Sequence, residues 1–97
     1  MNIQAMMAQA KKLQSQLEKT TKEIDETIYK YENENILVEA FGSNKIKKIN
    51  IKNSDVLEDH EMLEDVLLVA VNDVLKQIID DKNKKLGKYT NGLGGLF

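Results

Sequence analysis

Ile3-Gln4-Ala5-Met6-Met7-Ala8-Gln9-Ala10-Lys11-Lys12-Leu13-Gln14-Ser15-Gln16-Leu17-Glu18-Lys19-Thr20-Thr21-Lys22-Glu23-Ile24 decides how this chain folds. Within it Ile3, Met6, Ala10, Leu13, Leu17, Thr20 and Ile24 recur at spacings of three and four, and most other positions are polar or charged. Such a two-in-seven seam is narrower than the apolar face of an ordinary globular helix. A helix over residues 2 to 25 is about 36 Å long at ~1.5 Å per residue, too long to be hidden by a small domain. It needs a partner along its length, and a second long helical stretch near the C-terminus supplies a candidate.

Between the two helices the period changes. Thr27-Ile28-Tyr29-Lys30-Tyr31 is β-branched and aromatic and predicts a first strand. The polar turn Glu32-Asn33-Glu34-Asn35 leads into Ile36-Leu37-Val38-Glu39-Ala40-Phe41, a second strand with apolar side chains on both faces. Gly42-Ser43-Asn44 tolerates the positive φ of a tight hairpin. Lys45 to Lys52 forms a third strand with Ile49 and Ile51 on one face, and Ile46, out of phase with them, signals a bulge or a second partly buried face.

Asn53-Ser54-Asp55 breaks the sheet, and the capping-box spacing of Asp55 and Glu58 predicts a helical turn before a main helix from about Asp59. That helix carries Leu63, Val66, Leu67, Val69, Ala70, Val71, Val74, Leu75, Ile78 and Ile79, a stripe wide enough to require cover on most sides. Gly87 is its expected stop. The fold class is therefore α+β: long helix, three-stranded antiparallel meander, long helix. One domain covers residues 1–89, and residues 90–97, Thr90-Asn91-Gly92-Leu93-Gly94-Gly95-Leu96-Phe97, form a glycine-rich tail expected to be flexible.

A chain of 97 residues with two long helices buries only a thin core of its own, so self-association is expected. There is no cysteine for a disulfide or a thiolate metal site, and a reducing cytoplasm is the simplest home. The start lacks a basic region followed by an apolar run, and no stretch approaches the ~20 apolar residues of a membrane span, so a soluble protein without a membrane role is expected. Net charge is −2, against the uniformly basic surface of a strong non-specific nucleic-acid binder. All 14 basic residues are lysines, which excludes bidentate arginine reading of guanine and leaves phosphate as the available nucleic-acid ligand.

The acidic run Asp55, Glu58, Asp59, Glu61, Glu64 and Asp65 lacks the spacing of a calcium loop and reads as carboxylates complementing a helix dipole. His60, the single histidine, has no cysteine, second histidine or serine elbow to work with, so no enzyme activity, metal, cofactor or small-molecule substrate is expected. Asn72-Asp73 interrupts the most apolar helix, either on its polar strip or in a satisfied buried hydrogen bond. Lys47-Lys48 serves equally as a phosphate contact or as a guard against edge pairing. If the outer helices are antiparallel, the start of one lies beside the end of the other, and Lys11, Lys12, Lys82, Lys84, Lys85 and Lys88 gather at one tip as a candidate phosphate-binding site.

Several stretches also resemble a known family. Met6-Met7-Ala8-Gln9-Ala10-Lys11-Lys12-Leu13-Gln14, Leu37-Val38-Glu39-Ala40-Phe41-Gly42, Glu61-Met62-Leu63-Glu64-Asp65, Ala70-Val71-Asn72-Asp73 and Gly92-Leu93-Gly94-Gly95-Leu96, in helix–meander–helix order, are similar to the YbaB/EbfC family of bacterial nucleoid-associated proteins. The resemblance implies a tweezer-like homodimer whose sheets form a central body and whose helical arms bind double-stranded DNA. It implies a place in the cytoplasm at the nucleoid and a role in nucleoid organisation or gene regulation, with DNA repair or replication proteins as further partners. On the resemblance the arms bear Lys11, Lys12, Lys82, Lys84, Lys85 and Lys88 as DNA contacts. Asn53-Ser54 stands where the family usually has a proline, and Glu32-Asn33-Glu34-Asn35 where it has a glycine cluster. The residues alone also admit a dimeric helical scaffold that binds a partner protein without touching DNA.

Overall fold

The computed structural model describes residues 2–92, with the backbone alone for residues 90–92. The elements follow the expected order: α1 (Ile3–Glu26), β1 (Ile28–Glu32), β2 (Ile36–Phe41), β3 (Ile46–Ile51), α2 (Asp55–Glu58) and α3 (His60–Gly92). The radius of gyration is 19.2 Å and the extents are 69 × 22 × 15 Å. A compact chain of this length has a radius near 13 Å. The excess comes from the two long helices, which leave a small sheet-based body as an arm.

The strands form one antiparallel sheet in the order β1-β2-β3. Val38 sits between Tyr31 and Ile49, and Ile36 faces Ile51. The register shifts between Glu39, opposite Lys48, and Ala40, opposite Ile46, so Lys47 is the extra residue of a bulge. The bulge returns Ile46 to the face of Ile49 and Ile51, which accounts for its being out of phase in the sequence. Asn44, at φ 70°, closes the β2–β3 turn.

Tyr29, Ile36, Val38 and Ala40 from one sheet face pack against Ala70, Val74 and Ile78, one row of α3 at i, i+4 and i+8. Each large aliphatic buried there contributes about 1.5–3 kcal/mol. α3 covers β1 and β2 but not β3, so Ile46 and Ile49 stay exposed on the core-facing side. Leu68, Val69 and Ile79 are exposed on the helix itself.

Two local expectations need correction. The helical turn expected ahead of the main helix is present as α2, but the capping-box spacing of Asp55 and Glu58 that signalled it is not used as a cap. The Asp55 amide donates instead to Asn53 Oδ1 (3.0 Å), and α3 begins where the Met62 amide donates to Asp59 Oδ1 (3.2 Å). Gly87 is not a stop either, because α3 continues through it to Gly92. An internal glycine costs a helix about 1 kcal/mol, and the buried Tyr89 just beyond it ties the last turns to α1. The backbone of residues 90–92 is thus helical, while the tail reading of residues 93–97 lies outside the described residues.

Candidate nucleic-acid interface

α1 and α3 leave the sheet side by side and antiparallel, and each is fastened at its base. Ile24 is buried where α1 meets the β2–β3 turn, and the Gly42 amide donates to Thr27 O (3.0 Å). On α3 the Tyr29 hydroxyl donates to Asp81 Oδ2 (2.5 Å), and Gln77 Nε2 donates both to Lys30 O (2.9 Å) and to Asp73 Oδ1 (2.7 Å). Asn72 faces solvent, whereas Asp73 is half-buried and held by Gln77, so the pair divides between its two expected roles.

The Tyr29–Asp81 bond has a measurable signature. Burial, then the hydrogen bond to Asp81, push the Tyr29 hydroxyl up to about 12 from 10.0. Asp81 is held below the usual carboxylate range by the Tyr29 hydroxyl first and by Lys85 next. A raised acid is more easily deprotonated in the unfolded chain, so its stabilisation is complete below pH 10 and is lost as pH rises toward 12. At 1.36 kcal/mol per unit the loss is about 2–3 kcal/mol. Denaturant unfolding at pH 9 and pH 12 should show wild type losing that much more than Tyr29→Phe. Equal losses would mean that the bond does not persist in solution.

Nearer the base of the arm than its tip, the Thr20 and Tyr89 hydroxyls lie 3.2 Å apart. Beyond that contact α3 continues for three residues, about 4.5 Å, and α1 for seventeen, about 25 Å. Roughly 20 Å of α1 therefore stands beyond the described end of α3. The expected gathering at one tip does not occur: by this register Lys82, level with the base, and Lys11 are separated by about 24 Å along the arm. The six lysines form a stripe.

Their surroundings differ. Lys85 Nζ lies 3.0 Å from Asp81 Oδ2. Lys84 borders a cleft with Tyr29, Gln77, Asp80 and Asp81. Lys88 Nζ lies 5.1 Å from the centre of the Tyr89 ring and lines a cleft of about 520 Å³ with Gln16, Lys19, Thr20, Glu23 and Tyr89. Among the described residues Lys11, Lys12, Lys82, Lys84 and Lys88 make no ion pair. Residues 2–17 and 82–92 contain no carboxylate at all. Sequence reading passed over Lys19, which the Thr20–Tyr89 contact brings into the Lys88 cleft. The signal available was its place beside the seam position Thr20.

Among the described residues no group of histidine, cysteine and carboxylate side chains is placed to hold a metal ion. No described helix is long and apolar enough to cross a membrane. The sequence model of the YbaB/EbfC DNA-binding family matches residues 1–93. The chain belongs to the YbaB/EbfC family. A nucleoid-associated protein of Lactococcus lactis subsp. cremoris (strain MG1363) is 44% identical over 97 residues, covering 96% of this chain and 97% of the relative. Nucleoid-associated proteins of Enterococcus faecalis (strain ATCC 700802 / V583) and Ligilactobacillus salivarius (strain UCC118) are 38% and 33% identical, with 98% and 99% of this chain covered and 94% and 95% of the relatives. No solved structure matches the chain. This YbaB/EbfC chain thus falls in a DNA-binding family rather than an enzyme family, as its lack of a catalytic constellation led one to expect.

Proposed function

We propose that this YbaB/EbfC chain is a nucleoid-associated protein that grips double-stranded DNA as a homodimer, through lysine–phosphate contacts spread along its helical arms. The observation that carries the reading is the charge pattern of the arm: Lys11, Lys12, Lys82, Lys84, Lys85 and Lys88 lie in two segments, residues 2–17 and 82–92, that hold no carboxylate of their own, with Glu23 beside Lys88 and Asp81 beside Lys85 at the base and none along the distal part of α1. Phosphate oxygens need cations but no particular base sequence, so contacts of this kind position DNA without reading it. The acidic run at the start of α3 lies at the sheet end, where it repels the duplex from the body and favours the arm.

The dimer is supported by apolar surface that one chain leaves uncovered. Ile46 and Ile49 of β3, on the sheet edge that α3 leaves open, are 37% and 48% exposed. Joining two copies on such a surface leaves the arms free, which suits a clamp. A place at the nucleoid and a part in its organisation or in gene regulation follow from the same reading.

Titration of a fluorescent duplex tests it. With six phosphate contacts from each protomer, log affinity falls with log salt at a slope near −11, which is about 10⁶-fold between 50 and 200 mM salt. Absence of binding at 50 mM would replace the clamp by a helical scaffold for a protein partner.

A further inference from the structure

The cleft at the contact of α1 with α3 joins two unpaired cations to a pair of hydroxyls. It is lined by Gln16, Lys19, Thr20, Glu23, Lys88 and Tyr89. The Thr20 and Tyr89 hydroxyls lie 3.2 Å apart, so one donates to the other. That bond uses one of two hydroxyl protons, and among the described residues the second finds no acceptor. Tyr89 is buried, which fixes its hydroxyl in the wall of the cleft. Lys88 Nζ, 5.1 Å from the centre of the Tyr89 ring, is drawn to the same wall. Neither Lys19 nor Lys88 makes an ion pair among the described residues.

We propose that this cleft seats one phosphate group of the DNA backbone, which adds Lys19 to the six lysines of each arm; the assignment rests on the duplex-gripping role proposed above. A phosphodiester carries one negative charge and accepts several hydrogen bonds. Two ammonium groups, the unused hydroxyl proton and the Gln16 amide supply donors for it. Glu23 is the one carboxylate in the lining, and it stands one turn nearer the base than Lys19, so the anion enters from the Gln16 side. Lys12, seven residues before Lys19, shares that face of α1 about 10 Å closer to the tip, so the seat continues the lysine stripe. Lys22 lies two positions past Thr20, about 200° around the helix, and is directed away from the cleft.

Titrations of the full chain with a duplex and with inorganic phosphate separate the seat from the wider reading. Lys19→Gln should reduce the salt slope by about 2, one contact in each protomer, while Lys22→Gln leaves it unchanged. Glu23→Gln should tighten duplex binding, because it removes the carboxylate that opposes the phosphate. Tyr89→Phe keeps the ring beside Lys88 and should weaken binding about 10-fold with no change of slope, as a hydroxyl releases no counterion. Without DNA, inorganic phosphate should shift the Thr20 and Tyr89 NMR signals saturably, sodium chloride of equal ionic strength should not, and Lys19→Gln/Lys88→Gln should abolish the shift. A wild-type slope for Lys19→Gln in a chain that binds duplex would overturn the seat and leave the clamp standing. Equal losses for Lys19→Gln and Lys22→Gln would overturn it in favour of a diffuse cationic field. Absence of duplex binding would remove the clamp itself, and phosphate shifts would then assign the cleft to a free anion instead of DNA.

Discussion

Gly42→Ala should lower the thermal midpoint by about 15 °C or more, as a loss near 3 kcal/mol moves a domain of this size by 4–8 °C per kcal/mol. A Cβ built on Gly42 would overlap the Ile24 carbonyl oxygen and stand 2.6 Å from the Ile24 carbonyl carbon and 2.9 Å from its Cγ2. Two of those atoms are backbone, so no rotamer change relieves the clash. The backbone there has little room to shift: the Thr27 amide donates to Ile24 O (3.0 Å), and the Gly42 amide donates back to Thr27 O. Ile24 itself is 1% exposed, so moving the last turn of α1 also opens the base of the arm. Gly87→Ala is the contrast, because its Cβ meets nothing within 4 Å. In a helix interior that change stabilises by about 0.5–1 kcal/mol. Thermal unfolding followed by circular dichroism should therefore move in opposite directions for the two alanines. A midpoint for Gly42→Ala within about 3 °C of wild type, less than 1 kcal/mol, would mean that α1 does not dock on the turn.

These two glycines also show which parts of the fold are legible in one dimension. The seam from Ile3 to Ile24, the both-face apolar pattern of β2 and the phase slip at Ile46 are periodic signals, and periodicity is set by local backbone geometry. Each appears in the structure as α1, as the central strand and as the bulge at Lys47. Glycine carries no such signal. Gly87 lies inside α3 because Tyr89 is anchored to Thr20, a contact between residues 69 positions apart. Gly42 is required by the approach of Ile24 rather than by positive φ, which the turn assigns to Asn44. The candidate site follows the same rule. Which residues are lysine, and that the helices run antiparallel, could be read; where the two helices end relative to each other could not. That offset follows from the Thr20–Tyr89 register and turns the expected tip into a stripe.

The stripe makes the individual lysines separable in a DNA-binding experiment. Charge reversal of all six, to glutamate, should abolish retardation of a duplex at 50 mM salt, because it removes the whole electrostatic contribution and replaces it with repulsion. Neutralisation is more informative. Each substitution is present in both protomers, so Lys11→Gln with Lys12→Gln should reduce the salt slope by about 4, and Lys88→Gln by about 2, with affinity weakened uniformly across sequences. Lys85→Gln should reduce it by less, since Asp81 already lies 3.0 Å from that ammonium group. Lys76 is paired with Asp80 at 2.7 Å near the base of the arm, so Lys76→Gln should leave the slope unchanged. Lys11 and Lys12 are exposed and make no ion pair, so the thermal midpoint should stay at the wild-type value and separate lost contact from lost fold. Equal slopes for the Lys11/Lys12 double variant and wild type would move the DNA off the distal arm. Since residues 2–17 are, among the described residues, the part farthest from the acidic start of α3, that result would remove the electrostatic reason for an arm of this length.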